Sequence, residues 1–216
     1  RRKLQASIAH DLRNPIAIIK GYAEYLQINT PKGNLKPEQT LMIADNLAAS
    51  ASRLERYTDC VRSISKLEAM EIQRTLCLVP RFLNAAAEDM RILAGKTSVV
   101  LTVSNEVPEA EILLDRESYS RVLENILQNA FRYAKQEVHL SWKLDDEMLL
   151  TTITDDGPGF PENVLKGQKQ TVLSQDGEHM GMGLVISRIL CQKHGGKLKI
   201  SNTQDGAKAE FFVQVS

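Results

Sequence analysis

The chain has 216 residues, 43% of them hydrophobic, and its 27 Lys and Arg are balanced by 27 Asp and Glu. That suffices for one large or two modest cores, while zero net charge leaves neither a basic field for nucleic acid nor an acidic tail. No apolar run reaches the roughly eighteen residues that would span a bilayer, and Cys60, Cys77 and Cys191 lack metal-ligand spacing and read as reduced thiols of a cytosolic compartment.

The chain opens in mid-pattern at Arg1-Arg2-Lys3, already in phase with a first helix, as expected of a piece cut from a longer protein. Apolar residues at Leu4, Ile8, Leu12, Ile16, Ile19, Ala23 and Leu26 recur every three or four positions, which predicts an amphipathic helix to about Gln27. His10 projects opposite that stripe, Asp11 follows it, and Asn14 lies one turn on along the same face. Pro15 removes a ladder hydrogen bond just after His10 and is expected to bend the helix there. Taken alone, a histidine on a polar helix face is an ordinary solvated residue.

Asn29 to Asn34 is rich in turn formers, and Lys36-Pro37-Glu38 starts a second helix. It is predicted to run to about Met70 on the stripe Leu41, Ala44, Leu47, Ala51, Leu54, Tyr57, Val61, Ile64 and Leu67. Two helices so closely joined form an antiparallel hairpin. One hairpin leaves part of two such stripes in water, so residues 1–71 are expected to form a homodimeric four-helix bundle. Each buried Leu or Ile would contribute roughly 1.5–3 kcal/mol.

Residues 72–79 read as a linker, and from Pro80 to the end, 80–216, helices alternate with strands. Helices are predicted at Arg81–Ala94, at Arg116–Ala134 behind an Asp115 N-cap, and at Leu184–Lys193, closed by Gly195-Gly196. Strands are predicted at Ser98–Val103, Glu111–Leu114, Val138–Leu144, Met148–Thr154, Lys197–Ser201 and Ala209–Val215. The fold class is therefore two domains, an all-α hairpin followed by an α+β sandwich with helices on one face of a mixed sheet.

Three stretches of the second domain carry chemistry. In Asn125-Ile-Leu-Gln-Asn129-Ala-Phe-Arg132-Tyr133 the apolar face is Val122, Leu123, Ile126, Leu127 and Ala130, while Asn125, Asn129 and Arg132 share another stripe. Mid-helix amides are mildly unfavourable unless they line a site. An amide oxygen suits magnesium, and arginine suits phosphate. In Asp155-Asp156-Gly157-Pro158-Gly159, directly after a strand, the glycines let the backbone approach a flat ligand, and the carboxylate can accept from an exocyclic amine such as that of adenine. In His179-Met180-Gly181-Met182-Gly183-Leu184, glycines open a helix whose N-terminal N–H groups suit an anion.

Each stretch is weak alone. In this order they resemble the sensor histidine kinases of two-component systems: a dimerisation and histidine-phosphotransfer domain followed by an ATP-binding domain of the GHKL superfamily, covering essentially the whole chain. HDLRNP is similar to the family's H-box, ENILQNAFRYA to its N-box, and DDGPG and GMGLVISRILCQKHGG to its two glycine boxes.

The resemblance implies ATP and Mg2+ as cofactors and a role for each matching position. His10 would accept the phosphoryl group and Asp11 its proton. Asn129 would bind the metal. Asn125, Arg132 and Tyr133 would line the phosphates, and Asp155, Gly157 and Gly159 the adenine. Gly181, Gly183 and Leu184 would border a lid over the phosphates, with Lys166 and Lys169 near it. The phosphoryl group would pass from His10 to an aspartate of a response-regulator receiver domain, docked near Arg13 and Ala17, and Asn14 would support the reverse, phosphatase activity. The longer protein would be anchored in the bacterial membrane by an N-terminal sensor region, with this part cytoplasmic and touching neither membrane nor nucleic acid.

Two features depart from the pattern. His179 stands where the second glycine box has its first glycine, and no phenylalanine-rich box is recognisable in Pro161–Gln175. Two other functions stay open. A GHKL ATPase of the gyrase or chaperone kind would carry a water-activating glutamate where this chain has Asn125, and Glu124 projects about 140° away from Asn129. A scaffold without turnover would bind a receiver domain only.

Overall fold

The computed structural model describes residues 2–166 and 182–216, and the side chains of these except residues 2–11, Cys60 and Met182. The described chain divides into a helical unit and an α/β unit with its own core, the second beginning at Leu67.

The helical unit comprises α1 (Arg2–Asn29) and α2 (Pro37–Ala69). The turn between them places Gly33 at φ 67, where a side chain would be strained, and the Asn34 N–H donates to the last-turn carbonyl of Asn29. α1 continues through Pro15, which is buried. On α2 the residues withdrawn from water include Ile43, Ser50, Tyr57 and Ile64, one per heptad. On α1 the positions removed from water at the same stagger are Leu12, Pro15, Ile19, Tyr22 and Leu26. Both are seams of period 3.5.

The seams are narrower than the predicted stripes. Ile16 is 51% exposed, Leu41 67% and Val61 38%, and Ala23, Ala44 and Ala51 are exposed as well. Each helix carries more apolar surface than one seam consumes, so part of both predicted stripes stays open.

The second unit runs β1 (Thr75–Leu78), α3 (Val79–Ala94), β2 (Val100–Asn105), β3 (Glu111–Leu114), α4 (Arg116–Tyr133), β4 (Glu137–Asp145), β5 (Met148–Asp155), α5 (Glu162–Leu165), α6 (Met182–Lys193), β6 (Lys197–Asn202) and β7 (Ala207–Gln214). Five strands form a mixed sheet in the order β2-β4-β5-β7-β6, with β2 and β4 parallel and every other pairing antiparallel. β1 and β3 form a separate antiparallel pair, Leu76 opposite Leu113. The predicted linker 72–79 thus contains a strand and belongs to this unit.

One face of the large sheet is buried. Val138, Leu140 and Trp142 alternate with polar residues on β4, and on β7 the buried Phe211 and Val213 flank a half-buried Phe212. Tyr119 of α4 crosses this face: Trp142 Nε1 donates to its hydroxyl at 2.9 Å, Thr151 Oγ1 shares a hydrogen bond with it at 2.6 Å, and its ring tilts against Phe211. The other face carries His139 and Lys143, both exposed. This is the helices-on-one-face layering that the alternating pattern predicts.

Asp115 joins two parts of this unit. Its Oδ1 accepts from the Ser118 N–H at 3.0 Å, capping α4 as predicted, and its Oδ2 accepts from the Gln73 N–H at 2.9 Å. Lys193 Nζ donates to the Met70 carbonyl at 2.5 Å, and Arg74 donates to the Ser216 carbonyl at 2.6 Å. The segment that leads out of α2 is thereby tied to the ends of α4, α6 and β7.

Candidate functional site

α4 sets the site because its buried face packs on the sheet and its second stripe is left beside α6. Asn125 and Asn129 are half-buried on that stripe. A Cβ at Gly183, in the first turn of α6, would lie 3.6 Å from Asn129 Nδ2 and 3.7 Å from the Asn125 side chain. The first and third chemistry-bearing stretches therefore converge, although they lie some fifty residues apart in the sequence. Asn125 Nδ2 is buried without a hydrogen-bond partner among the described residues. Buried amides nearly always have partners, so an orphaned donor beside an uncovered glycine marks room for a ligand's acceptor. The Gly183 distances are ordinary van der Waals contacts, so the chain's own atoms do not demand glycine there.

Asp155, at the end of β5, is joined to the end of α4 through Gly157. Its Oδ1 accepts from the Gly157 N–H at 2.9 Å and the Ala207 N–H at 3.4 Å. Among the described residues no hydrogen bond engages Oδ2. Burial pushes the Asp155 carboxyl above its ordinary range, the amides of Gly157 and Ala207 pull it back, and the charge of Asp156 adds to the rise. Two glycines enforce the geometry. A Cβ on Gly157 would stand 2.4 Å from the Tyr133 carbonyl oxygen and 2.8 Å from Asp155 Oδ1, and one on Gly206 would stand 2.0 Å from the Asp155 carbonyl oxygen.

Asp156 faces the opposite way. Its carboxylate accepts from the Lys135 N–H at 2.7 Å and the Gln136 N–H at 2.9 Å, just past the end of α4. Slight desolvation opposes ionisation, but these amides outweigh it and hold the carboxyl below its ordinary range. The pair Asp155-Asp156 thus has divided roles: one carboxylate is left with a free oxygen, and the other fastens its loop to the helix that carries Asn125 and Asn129.

The remaining predicted positions are placed as follows. Arg132 is exposed, its guanidinium 5.6 Å from the centre of the Tyr133 ring, and Tyr133 is 50% exposed. Gly159 has φ 79 and Leu184 is half-buried. Lys166 pairs with Glu162 at 2.8 Å. Gly181 and Lys169 lie outside the described residues, as does His179. His10 and Asp11 lie within α1 but their side chains are not among those described, and Asn14 is exposed.

Several residues that shape the site escaped the sequence reading. Gly206 and Ala207 lie between two predicted strands, yet Gly206 packs on the Asp155 carbonyl and Ala207 donates to its carboxylate. Asp156 had no role in the sequence, and the fold shows its carboxylate turned back on the end of the helix. Asn202, which bonds to the loop after Asp155, carried no signal at all.

The donor set fits a nucleotide with its metal: two amides of α4 beside a glycine-opened helix, and a carboxylate with a free oxygen tied to the end of the same α4. Comparison with known proteins bears on this arrangement. The family described as "His Kinase A (phospho-acceptor) domain" matches residues 1–69, and that described as "Histidine kinase-, DNA gyrase B-, and HSP90-like ATPase" matches residues 114–216. The sensor histidine kinase CssS of Bacillus subtilis is 28% identical over 98% of this chain. The chain spans 46% of CssS, so about half the length of that relative. Among solved structures, histidine kinase ThkA in complex with response regulator TrrA matches 99% of this chain and 61% of its own at TM-score 0.63 and 21% identity. ShkA in complex with AMPPNP matches 100% of this chain and 46% of its own at TM-score 0.64 and 20% identity. These two support the fold. With a phosphoacceptor-type helical unit and a GHKL-type ATPase unit in that order, the chain belongs to the sensor histidine kinases of two-component systems.

Proposed function

We propose that this chain transfers the γ-phosphoryl group of ATP to His10, and from there to an aspartate on a response-regulator receiver domain. The observation that carries the reading is the meeting of Gly183 with Asn125 and Asn129 of the helix whose end seats Gly157, beside an Asp155 with one free carboxylate oxygen. Residues 1–71 serve as the dimerisation and phosphotransfer domain and 80–216 as the catalytic domain, with 72–79 joining them through β1.

In this reading Asn129 holds Mg2+ through its amide oxygen, and Mg2+ supplies charge neutralisation of the phosphates. Asn125 and the first turn of α6 receive phosphate oxygens, with Arg132 and Tyr133 at the rim. Asp155 Oδ2 accepts the adenine amine. The imidazole of His10 attacks the γ-phosphorus, a P–N bond forms as the bridging P–O bond breaks, and Asp11 takes the imidazole proton. ADP leaves. Asn125 cannot act as a general base toward water, which favours the histidine over hydrolysis.

Two partners follow. The exposed apolar residues of the helical unit, with Ile16, Leu41 and Met42 more than half exposed, suit burial against a second copy of residues 1–71. The receiver domain is supported by the ThkA–TrrA pairing, with Arg13 and Ala17 in the docking surface and Asn14 assisting dephosphorylation of the regulator. No described helix is long and apolar enough to cross a membrane. We read the chain as the cytoplasmic part of a longer, membrane-anchored protein.

The test is incubation with γ-labelled ATP and Mg2+. Acid-labile, alkali-stable label on the protein, lost in His10→Gln, is expected. Steady phosphate release without protein label would instead identify an ATPase, and binding of a receiver domain with neither label nor release would identify a scaffold.

A further inference from the structure

Asn202 is the last residue of β6 and belongs to none of the motifs. Its Oδ1 accepts from the Phe160 N–H at 2.7 Å, and its Nδ2 donates to the Phe160 carbonyl at 2.9 Å. One side-chain amide thus pairs with both halves of one residue's main chain, as an adjacent strand would. The preceding residue is matched to it. Gly159 has φ 79, and a Cβ there would stand 2.8–2.9 Å from the Asn202 amide. Glycine at 159 therefore leaves the space that the Asn202 amide fills.

The loop that follows Asp155 is consequently pinned at two points. Gly157 is seated against the Tyr133 carbonyl at the end of α4, and Phe160 is held by Asn202 at the end of β6. Among the described residues no other side-chain hydrogen bond holds Phe160. A flexible loop beside a binding carboxylate must be ordered when ligand arrives, and that ordering subtracts from affinity.

We propose that Asn202 is a positioning residue for the nucleotide base: it fixes the Gly157–Phe160 loop so that the loop and Asp155 present one geometry to the adenine ring. The inference rests on the reading of Asp155 as the adenine acceptor. Asparagine is the residue the geometry requires. Aspartate keeps the acceptor but turns a second oxygen toward the Phe160 carbonyl, where repulsion replaces a hydrogen bond. Alanine removes both bonds and leaves the space empty.

The test measures binding of ATP and of GTP, each with Mg2+, to the parent chain, Asn202→Asp and Asn202→Ala by titration calorimetry, alongside thermal melting. Loss of both loop-ordering hydrogen bonds in Asn202→Ala, or of one with repulsion in its place in Asn202→Asp, should weaken ATP about tenfold. GTP, which lacks the amine that Asp155 would accept, should change by less than about twofold, and KM for ATP should rise with kcat at saturating ATP within about twofold. Parallel weakening of ATP and GTP signals general damage and overturns the proposal. So does unchanged ATP binding in both variants while the parent binds ATP, which leaves the nucleotide site itself intact. A parent that binds no ATP overturns the reading of the site and this inference together.

Discussion

Gly157→Ala offers the sharpest contrast between what this loop tolerates and what a surface turn tolerates. A Cβ at 157 would stand 2.4 Å from the Tyr133 carbonyl oxygen, an ångström short of the 3.4 Å at which ordinary contact begins. That oxygen is main chain at the end of α4, so it cannot rotate away. The second obstacle, Asp155 Oδ1 at 2.8 Å, can move only by loosening the bonds it accepts from Gly157 and Ala207. Overpacking of this kind costs about 1–3 kcal/mol, and a hydrogen bond to a charged group is worth about 1.5–3 kcal/mol. The substitution should therefore destabilise the second unit by about 2–4 kcal/mol and weaken Mg-ATP at least about tenfold. Gly95→Ala is the control, since its Cβ would meet only the Arg91 and Ile92 carbonyls at 3.5 Å and its φ is −60. Melting followed by circular dichroism and ATP titration, run on both variants, decides. Gly157→Ala with the parent's melting temperature and ATP affinity would refute the claim that the loop is seated against α4.

Three further outcomes are expected. Asp115→Ala removes the α4 cap and the anchor of Gln73 together, and should cost about 2 kcal/mol in urea unfolding. Desolvation opposes the Asp115 charge but the Ser118 and Gln73 amides outweigh it, holding the carboxyl below its ordinary range. Its contribution is therefore full above the unfolded value near 3.8 and lost as pH falls through the lower folded value, so acid unfolding should be less steep in the variant. At Asp155 the sign is opposite: its carboxyl is raised, so ATP affinity should begin to fall, as pH drops, above the pH at which an ordinary aspartate protonates. Asp155→Asn should bind ATP weakly with that dependence gone, and an unchanged pH profile would remove the carboxylate from adenine recognition. Asn14→Ala should slow dephosphorylation of a phosphorylated receiver domain about tenfold or more, with autophosphorylation of His10 retained. Dephosphorylation at the parent rate would detach Asn14 from that reaction.

Much of the fold is legible in the sequence because most elements obey one period. β4 alternates strictly, and α4 carries both its N-cap and its apolar face. β1 and α5 were missed: each is only four residues long, and β1 is defined mainly by its pairing with β3 some thirty-five positions on. The helical unit shows a different limit. Ile16, Leu41 and Val61 fit a stripe as well as Leu12, Tyr57 and Ile64 do, and apolar spacing alone does not say which positions the fold removes from water. At the site, Asn125, Asn129 and Asp155 were readable because a polar side chain in an apolar helix or at a strand end is locally anomalous. Asn202 was not, because an asparagine before a turn is locally unremarkable. Its role comes from a contact with Phe160 across forty-two positions of sequence.

The central claim is that the phosphoryl group taken from ATP rests on His10. The direct measurement is mass spectrometry at neutral pH on the intact chain and its peptides after incubation with ATP and Mg2+. A single added phosphoryl group on the peptide containing His10, absent in Asn129→Ala and in His10→Gln, is the predicted result. Phosphoryl groups on another residue, or phosphate released into solution with His10 unmodified, would contradict the account.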